Sequence, residues 1–202
     1  DIVLNTFPSH LQVHSAGNAG GSCAGGFFTI TGSGKPAKNN IVVGALTTAD
    51  GVTSFSSSGP VADGRIKPEI TSFGNNVYST TVPLNQYEFM SGTSMATPGV
   101  AGASALLYQR YKQLNSNNNP PSALIKNIIC NGAEDLGNPG PDFRYGFGRI
   151  NALTAVRILE DNRYAMNSVA TGAFNDVNIT VPAGAVRLRA MLTWNDPAAA
   201  AN

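Results

Sequence analysis

The chain has 202 residues, enough for one good core, or for one domain and part of another. Hydrophobic residues make up 42% and charged residues only 12%, about half the usual charged share, with 22 glycines among the rest; a disordered chain would be charged and poor in Ile, Leu, Val and Phe, so disorder is excluded. The formal net charge of +1, with no Lys/Arg cluster, argues against a nucleic-acid partner, and no apolar run is long enough to cross a membrane as a helix.

Asp1 to Phe7 reads as a strand, and Leu11 to Ala16 reads as the next, breaking at Gly17. Two parallel strands need a crossover of about 10–12 residues. Only Pro8, Ser9 and His10 lie between these two, so a segment is expected to be missing there. The start, Asp1 to Asn5, lacks the basic residues and apolar block of a signal peptide, so the chain is expected to begin in mid-protein or after processing. Cys23 and Cys130 read as small buried hydrophobes; two cysteines make no disulfide framework, and no Cys or His lies at ligand spacing from either.

Asn39 to Leu46, with Ile41-Val42-Val43, is an apolar strand of the kind buried on both faces of a parallel sheet. Phe55 to Pro60 is turn chemistry, and Arg65–Ile70 and Val77–Thr81 are short extended stretches. Ser91 to Val100 then runs into Ala101 to Tyr108 as a helix, with Pro98 expected in its first turn. The small residues from Gly99 to Ala105 predict that this helix is buried. Pro120-Pro121-Ser122 opens a second helix through Ile129, and Asn151 caps a third from Ala152 to Leu159.

After Asp161 the pattern changes. Val177 to Pro182 is strand-like. In Val186 to Trp194, Val186, Leu188, Ala190, Leu192 and Trp194 alternate with Arg187, Arg189, Met191 and Thr193, which predicts a half-buried antiparallel strand with its apolar side inward. A domain boundary is therefore expected near 161. The segment 162–202 is the start of a β-sandwich and falls well short of the roughly 100 residues such a domain needs.

A serine hydroxyl needs a base to take its proton and donors to stabilise the oxyanion that forms. Ser94 sits where a loop becomes a helix, where backbone N–H groups lack intrahelical partners and the helix dipole is positive. The Gly-x-Ser-x-Ala look of this segment is close to a nucleophile elbow, but in that arrangement the histidine follows the serine, and none follows Ser94 here. His10 and His14 both precede it. His14 lies in a strand leading into Asn18 and reads as structural; His10 lies in a polar turn and reads as solvent-exposed.

The runs Ser15-Ala16-Gly17-Asn18 and Gly92-Thr93-Ser94-Met95-Ala96-Thr97-Pro98 resemble two signature blocks of the subtilisin-like peptidases. Val43-Gly44-Ala45, Phe55 to Pro60, Lys67-Pro68-Glu69-Ile70 and Tyr145 to Asn151 match in order, so the resemblance covers about 11–157. Asn178 to Pro197 resembles the β-sandwich attached to some alkaline members. The resemblance implies an α/β, three-layer fold with a mainly parallel sheet over 1–161. It also implies a serine endopeptidase with Ser94 as nucleophile, the Asn18 amide and Ser94 N–H as oxyanion donors, and Ser15, Ala16 and Gly17 lining a wall of the substrate pocket. The family order is Asp, His, Ser, and neither an Asp block nor a His-Gly block precedes Asn18, so the fragment alone is expected to be nearly inactive and to need the remaining N-terminal part of the catalytic domain. A polypeptide substrate, secretion or an extracytoplasmic place, and a structural calcium are implied; the chemistry requires no cofactor or metal. Gly99 stands where the family usually has histidine, and Ser72-Phe73-Gly74 replaces Ala-Pro-Gly. Two other readings compete: a catalytically dead peptidase-fold scaffold, and a serine esterase with another triad order.

Overall fold

The computed structural model describes residues 1–32, 34–83 and 85–197. The last part of the predicted sandwich segment, 198–202, lies outside the described residues. Ile41–Leu46 (β2) is wholly buried, as its unbroken apolar run requires. It is the centre of a parallel sheet in the order β1-β2-β3, with Val13–Ser15 as β1 and Ile70–Phe73 as β3.

Alternate residues of β2 feed two cores. Ile41, Val43 and Ala45 pack with Ala96, Val100, Ile125, Ile128 and Ile158. Val42 packs on the other side with Ala16, Ile30 and Val61. The first core is roofed by three helices: Thr93–Leu114 (α2), Ser122–Asn131 (α3) and Ala152–Glu160 (α4). The Asn151 side chain caps α4, accepting from the Thr154 N–H at 2.9 Å. Val77–Thr81 (β4) and Gln86–Met90 (β5) form an exposed antiparallel hairpin, of which β5 had no sequence-based expectation.

The α/β architecture is thus as expected, but several expectations fail in detail. Ile2–Thr6 is a one-turn helix (α1), not a strand. Only Leu4 of this turn is buried, and the Asp1 carboxylate accepts from the N–H groups of Lys38 and Asn39. With a helix there, Pro8, Ser9 and His10 suffice to lead into β1 and no crossover is required.

Pro98 lies in the second turn of α2, because that helix already begins at Thr93. The small residues of α2 are not uniformly covered either. Ser104 is buried, but Gly99, Ala101, Gly102 and Ala105 are exposed. In 162–197 no β-ladder forms among the described residues, so the strands expected at 177–182 and 186–194 have no strand partners, and Leu188, Leu192 and Trp194 face solvent.

At the N-terminal end of β2 lies a buried ion cluster. The Lys67 ammonium donates to Asn40 Oδ1 at 2.6 Å and to Glu69 Oε1 at 2.5 Å. The Lys126 ammonium reaches the same Glu69 oxygen at 2.8 Å, and Glu69 Oε2 accepts from the Val42 N–H. β2, β3 and α3 are therefore joined by one carboxylate.

Candidate active site

β3 ends where Gly74 crosses under Gly92. The Gly92 N–H donates to the Gly74 carbonyl at 2.8 Å, and the Gly74 N–H donates to Leu46 at the end of β2 at 3.0 Å. A methyl group on Gly74 would lie 2.7 Å from the Gly92 oxygen and 2.8 Å from the Ala45 side chain, so only glycine permits this crossing. The start of α2 is thereby pinned directly over the C-terminal end of β2.

From the other direction, β1 delivers Ser15, Ala16 and Gly17. Ala16 is fully buried in the second core. The Gly17 N–H donates to Thr93 Oγ1 at 3.1 Å, and its carbonyl accepts from the Ser57 N–H at 2.9 Å. Gly17 has φ +109°, and a side chain there would also crowd Ser57 Oγ at 3.0 Å.

Asn18 follows, and its orientation is determined by its partners. Its Oδ1 accepts from the Thr93 N–H and from the Thr93 hydroxyl, both at 3.0 Å. The backbone N–H can only donate, so the Asn18 oxygen must face Thr93 and its Nδ2 must turn away. Nδ2 has no hydrogen-bond partner among the described residues.

Ser94 is the second residue of α2 and is exposed. Among the described residues neither its N–H nor its hydroxyl is hydrogen-bonded. That leaves the N–H as an open donor at the positive end of the helix. A methyl group built on Gly92 would lie 3.4 Å from Asn18 Nδ2 and 3.7 Å from the Ser94 nitrogen. The Asn18 amide nitrogen and the Ser94 backbone nitrogen thus border the same small volume beside Gly92.

Thr93 is a residue whose separate role sequence reasoning missed. It is fully buried, and its hydroxyl accepts from Gly17 while donating to Asn18, so one side chain locks both halves of the site. The available signal was a hydroxyl residue, where an apolar one would serve packing, immediately before the candidate nucleophile. Ser57 was likewise seen only as turn chemistry; its Oγ accepts from the Ala19 N–H at 3.1 Å and its N–H holds Gly17.

Neither histidine is hydrogen-bonded to Ser94. His14 Nε2 pairs with Gln12 Oε1 at 3.2 Å, and burial, followed by the charges of Lys67 and Lys35, holds its pKa below the ordinary value despite the opposing Glu69. The His10 ring Nε2 lies 3.5 Å from Gln12 Nε2, while its backbone N–H donates to the Phe7 carbonyl at 2.8 Å. Among the described residues no group of three or more His, Cys, Asp or Glu side chains is disposed to hold a metal ion. Both cysteines are free; Cys130 is buried as expected, but Cys23 is exposed, because it opens a surface turn.

Known proteins share this arrangement of sequence. The model of the subtilase family matches residues 8–148. Subtilisin DY of Bacillus licheniformis is 38% identical over 149 residues, covering 73% of this chain and 47% of that protein. The PII-type proteinase of Lactococcus lactis subsp. cremoris is 47% identical over 133 residues, 57% of this chain and 7% of its own length. Serine protease AprX of Bacillus subtilis (strain 168) is 37% identical over 136 residues, 57% of this chain and 29% of its own. In fold, the chain resembles the crystal structure of a lanthipeptide protease, with a TM-score of 0.58 at 22% identity, covering 75% of this chain and 51% of that one. The chain spans about half the length of the subtilisin it matches, and less of the larger relatives. With a family match that takes in both the Asn18 and the Ser94 segments, the chain belongs to the subtilase family.

Proposed function

We propose that this chain supplies the nucleophile and oxyanion hole of a serine endopeptidase that hydrolyses peptide bonds in polypeptides. Ser94 Oγ attacks the scissile carbonyl. Asn18 Nδ2 and the Ser94 N–H receive the oxyanion, and Ser15, Ala16 and Gly17 form one wall of the pocket for the substrate residue before the cut. The observation that carries this reading is the common volume bordered by Asn18 Nδ2 and the Ser94 nitrogen beside Gly92. Asn18, turned by Thr93, has no other use for its amide donor.

A nucleophile and donors without a base give only a residual acceleration, ~10³–10⁴ over water, a figure that comes from subtilisin itself. The acid and base come from sequence outside these 202 residues, in the order Asp, His, Ser. The exposed apolar side of α2, with Gly99, Ala101, Gly102, Ala105 and Leu106, supports a missing half of the catalytic domain packing on this one. Secretion, and a boundary near 161 between the peptidase portion and a C-terminal sandwich, belong to the same reading.

Treatment of the natural polypeptide, including sequence upstream of Asp1, with a fluorophosphonate tests the proposal. Covalent modification is expected at Ser94 and is expected to be lost, with peptide-bond hydrolysis, in Ser94→Ala. An unmodified Ser94 in the folded polypeptide would favour the second reading, a catalytically dead scaffold, which the lack of a base beside Ser94 in this chain motivates.

A further inference from the structure

The segment 186–196 has the alternation of a β-strand, yet no strand lies beside it. Its odd-numbered residues instead follow α3 from end to end, in the opposite direction. Asn195 Nδ2 donates to Ser122 Oγ at 3.1 Å, at the start of α3. Midway, Asn127 Nδ2 donates to the Met191 carbonyl at 2.8 Å and to Thr193 Oγ1 at 3.0 Å. At the far end, Arg189 Nη1 donates to the carbonyls of Asn131 and Ala133, at 3.0 and 2.7 Å. Those carbonyls lie at the C-terminus of α3, where acceptors lack helical partners and a cation is favoured by the dipole. Arg187 and Asp135 pair just beyond, at 3.3 Å, exposed and of small weight.

A second anchor lies at 196. Asn39 Nδ2 donates to the Asp196 carbonyl at 2.7 Å, and the Asp196 N–H donates back to Asn39 Oδ1 at 2.9 Å. The amide of a buried side chain thus imitates one step of a β-ladder, and Lys38 pairs with the Asp196 carboxylate at 3.2 Å. The even-numbered Val186, Leu188, Leu192 and Trp194 point outward, 62–101% exposed. Between this segment and the body lies a cavity of about 290 Å³, bordered by Cys130, Phe147, Leu188, Ala190 and Met191. Directional polar bonds thus hold the segment at both ends and in the middle.

We propose that α3 and the 38–39 turn form a receptor for a β-strand bearing polar side chains at alternate positions, and that 187–196 is the clasp fixing the C-terminal extension onto the peptidase body. The burial expected from the sequence is reversed: the polar side faces the body. The inference does not depend on Ser94 being catalytic.

Trp194, the single tryptophan of the chain, reports on the clasp directly. In the unmodified 202-residue chain its fluorescence anisotropy is expected to decay slowly, with the tumbling of the whole body. Asn39→Ala combined with Arg189→Ala is expected to lose that slow decay to fast nanosecond segmental motion, while far-ultraviolet circular dichroism keeps the helical signal of the body. Leu192→Ser, on the outward side, is expected to keep the slow decay. Fast decay in the unmodified chain with its helices intact would overturn the proposal, as would release of Trp194 by Leu192→Ser to the same extent as by the double substitution.

Discussion

Thr93 has no freedom in this site: its hydroxyl is committed in both directions, to Gly17 and to Asn18. Thr93→Val preserves shape and removes both hydroxyl bonds, leaving the half-buried Gly17 N–H without its partner, a loss of about 1 kcal/mol. We expect a lower melting temperature together with a fall in turnover of the natural polypeptide, and recovery of both in Thr93→Ser. Asn18→Ala removes the acceptor of the Thr93 N–H and hydroxyl, so it is expected to lower the melting temperature by a cap's worth of stability, about 0.5–2 kcal/mol, and to cost ~10²–10³ in turnover, the range known for the side-chain oxyanion donor of subtilisin. Gly92→Ala is a sharper test. At Gly92 φ is 161°, extended backbone open to any residue, and the added methyl would meet its neighbours at ordinary contact distance. The protein should therefore fold, with an apolar group standing against both donors; unchanged kcat/KM in that variant would show that the volume beside Gly92 is not where the oxyanion forms. The two cysteines should differ plainly under alkylation: Cys23 is exposed, whereas burial pushes the Cys130 thiol up to about 12, so native protein is expected to take label at Cys23 alone.

Among the elements, β2 and α4 were legible because their signals are local. An unbroken apolar run predicts burial on both faces, and Asn151 caps its own helix. The start of α2 was misjudged because its first N–H is capped by Asn18, a residue far away in the chain. No reading of the sequence around Pro98 contains that partner. The same limit applies to Ile2–Thr6, read as a strand, which forms a helical turn whose Asp1 carboxylate is held by the distant Lys38 and Asn39 N–H groups. Ser94 and Asn18 were legible as residue types in specified runs; Thr93 and Ser57 as their supports were not, since they act through contacts made only on folding. The Lys67–Glu69–Lys126 cluster joins elements in the same long-range way. Burial alone would raise the Glu69 pKa, but Lys126 and Lys67 overcome it and hold it below the ordinary carboxylate value. A depressed folded pKa contributes stability above the unfolded pKa that is lost as pH falls through the folded one. Thermal stability is therefore expected to drop on acidification below the carboxylate range, and this part of the slope should vanish in Glu69→Gln. Burial works the opposite way on Lys67, lowering it to about 8 despite Glu69. Between about pH 8 and its ordinary value the unfolded state binds more protons there, so the Lys67 contribution to stability rises with pH, and its absence in Lys67→Met is the check.

At the scale of the whole molecule, the surface carries more apolar area than its neighbours cover. Leu106 on α2 is 64% exposed, and Tyr78 stacks on Tyr87 and packs tilted against Phe89 on one open face of the β4–β5 hairpin. If the absent half of a catalytic domain packs on α2, Leu106→Asp should cost the natural polypeptide well over the ~0.5 kcal/mol typical of a surface substitution, read as a fall in melting temperature. The alternation at 186–194 was legible in the sequence, but which side faced the body was not. The assumption that apolar means inward held for β2 and failed there, because α3 offers polar partners at the spacing of a strand. The most direct test of the account is a crystal structure of the natural polypeptide carrying a phosphonate adduct. The account predicts the phosphorus bonded to Ser94 Oγ, with one oxygen about 2.7–3.1 Å from both Asn18 Nδ2 and the Ser94 nitrogen. An adduct on another residue, or a phosphonyl oxygen turned away from Asn18 into solvent, would contradict it.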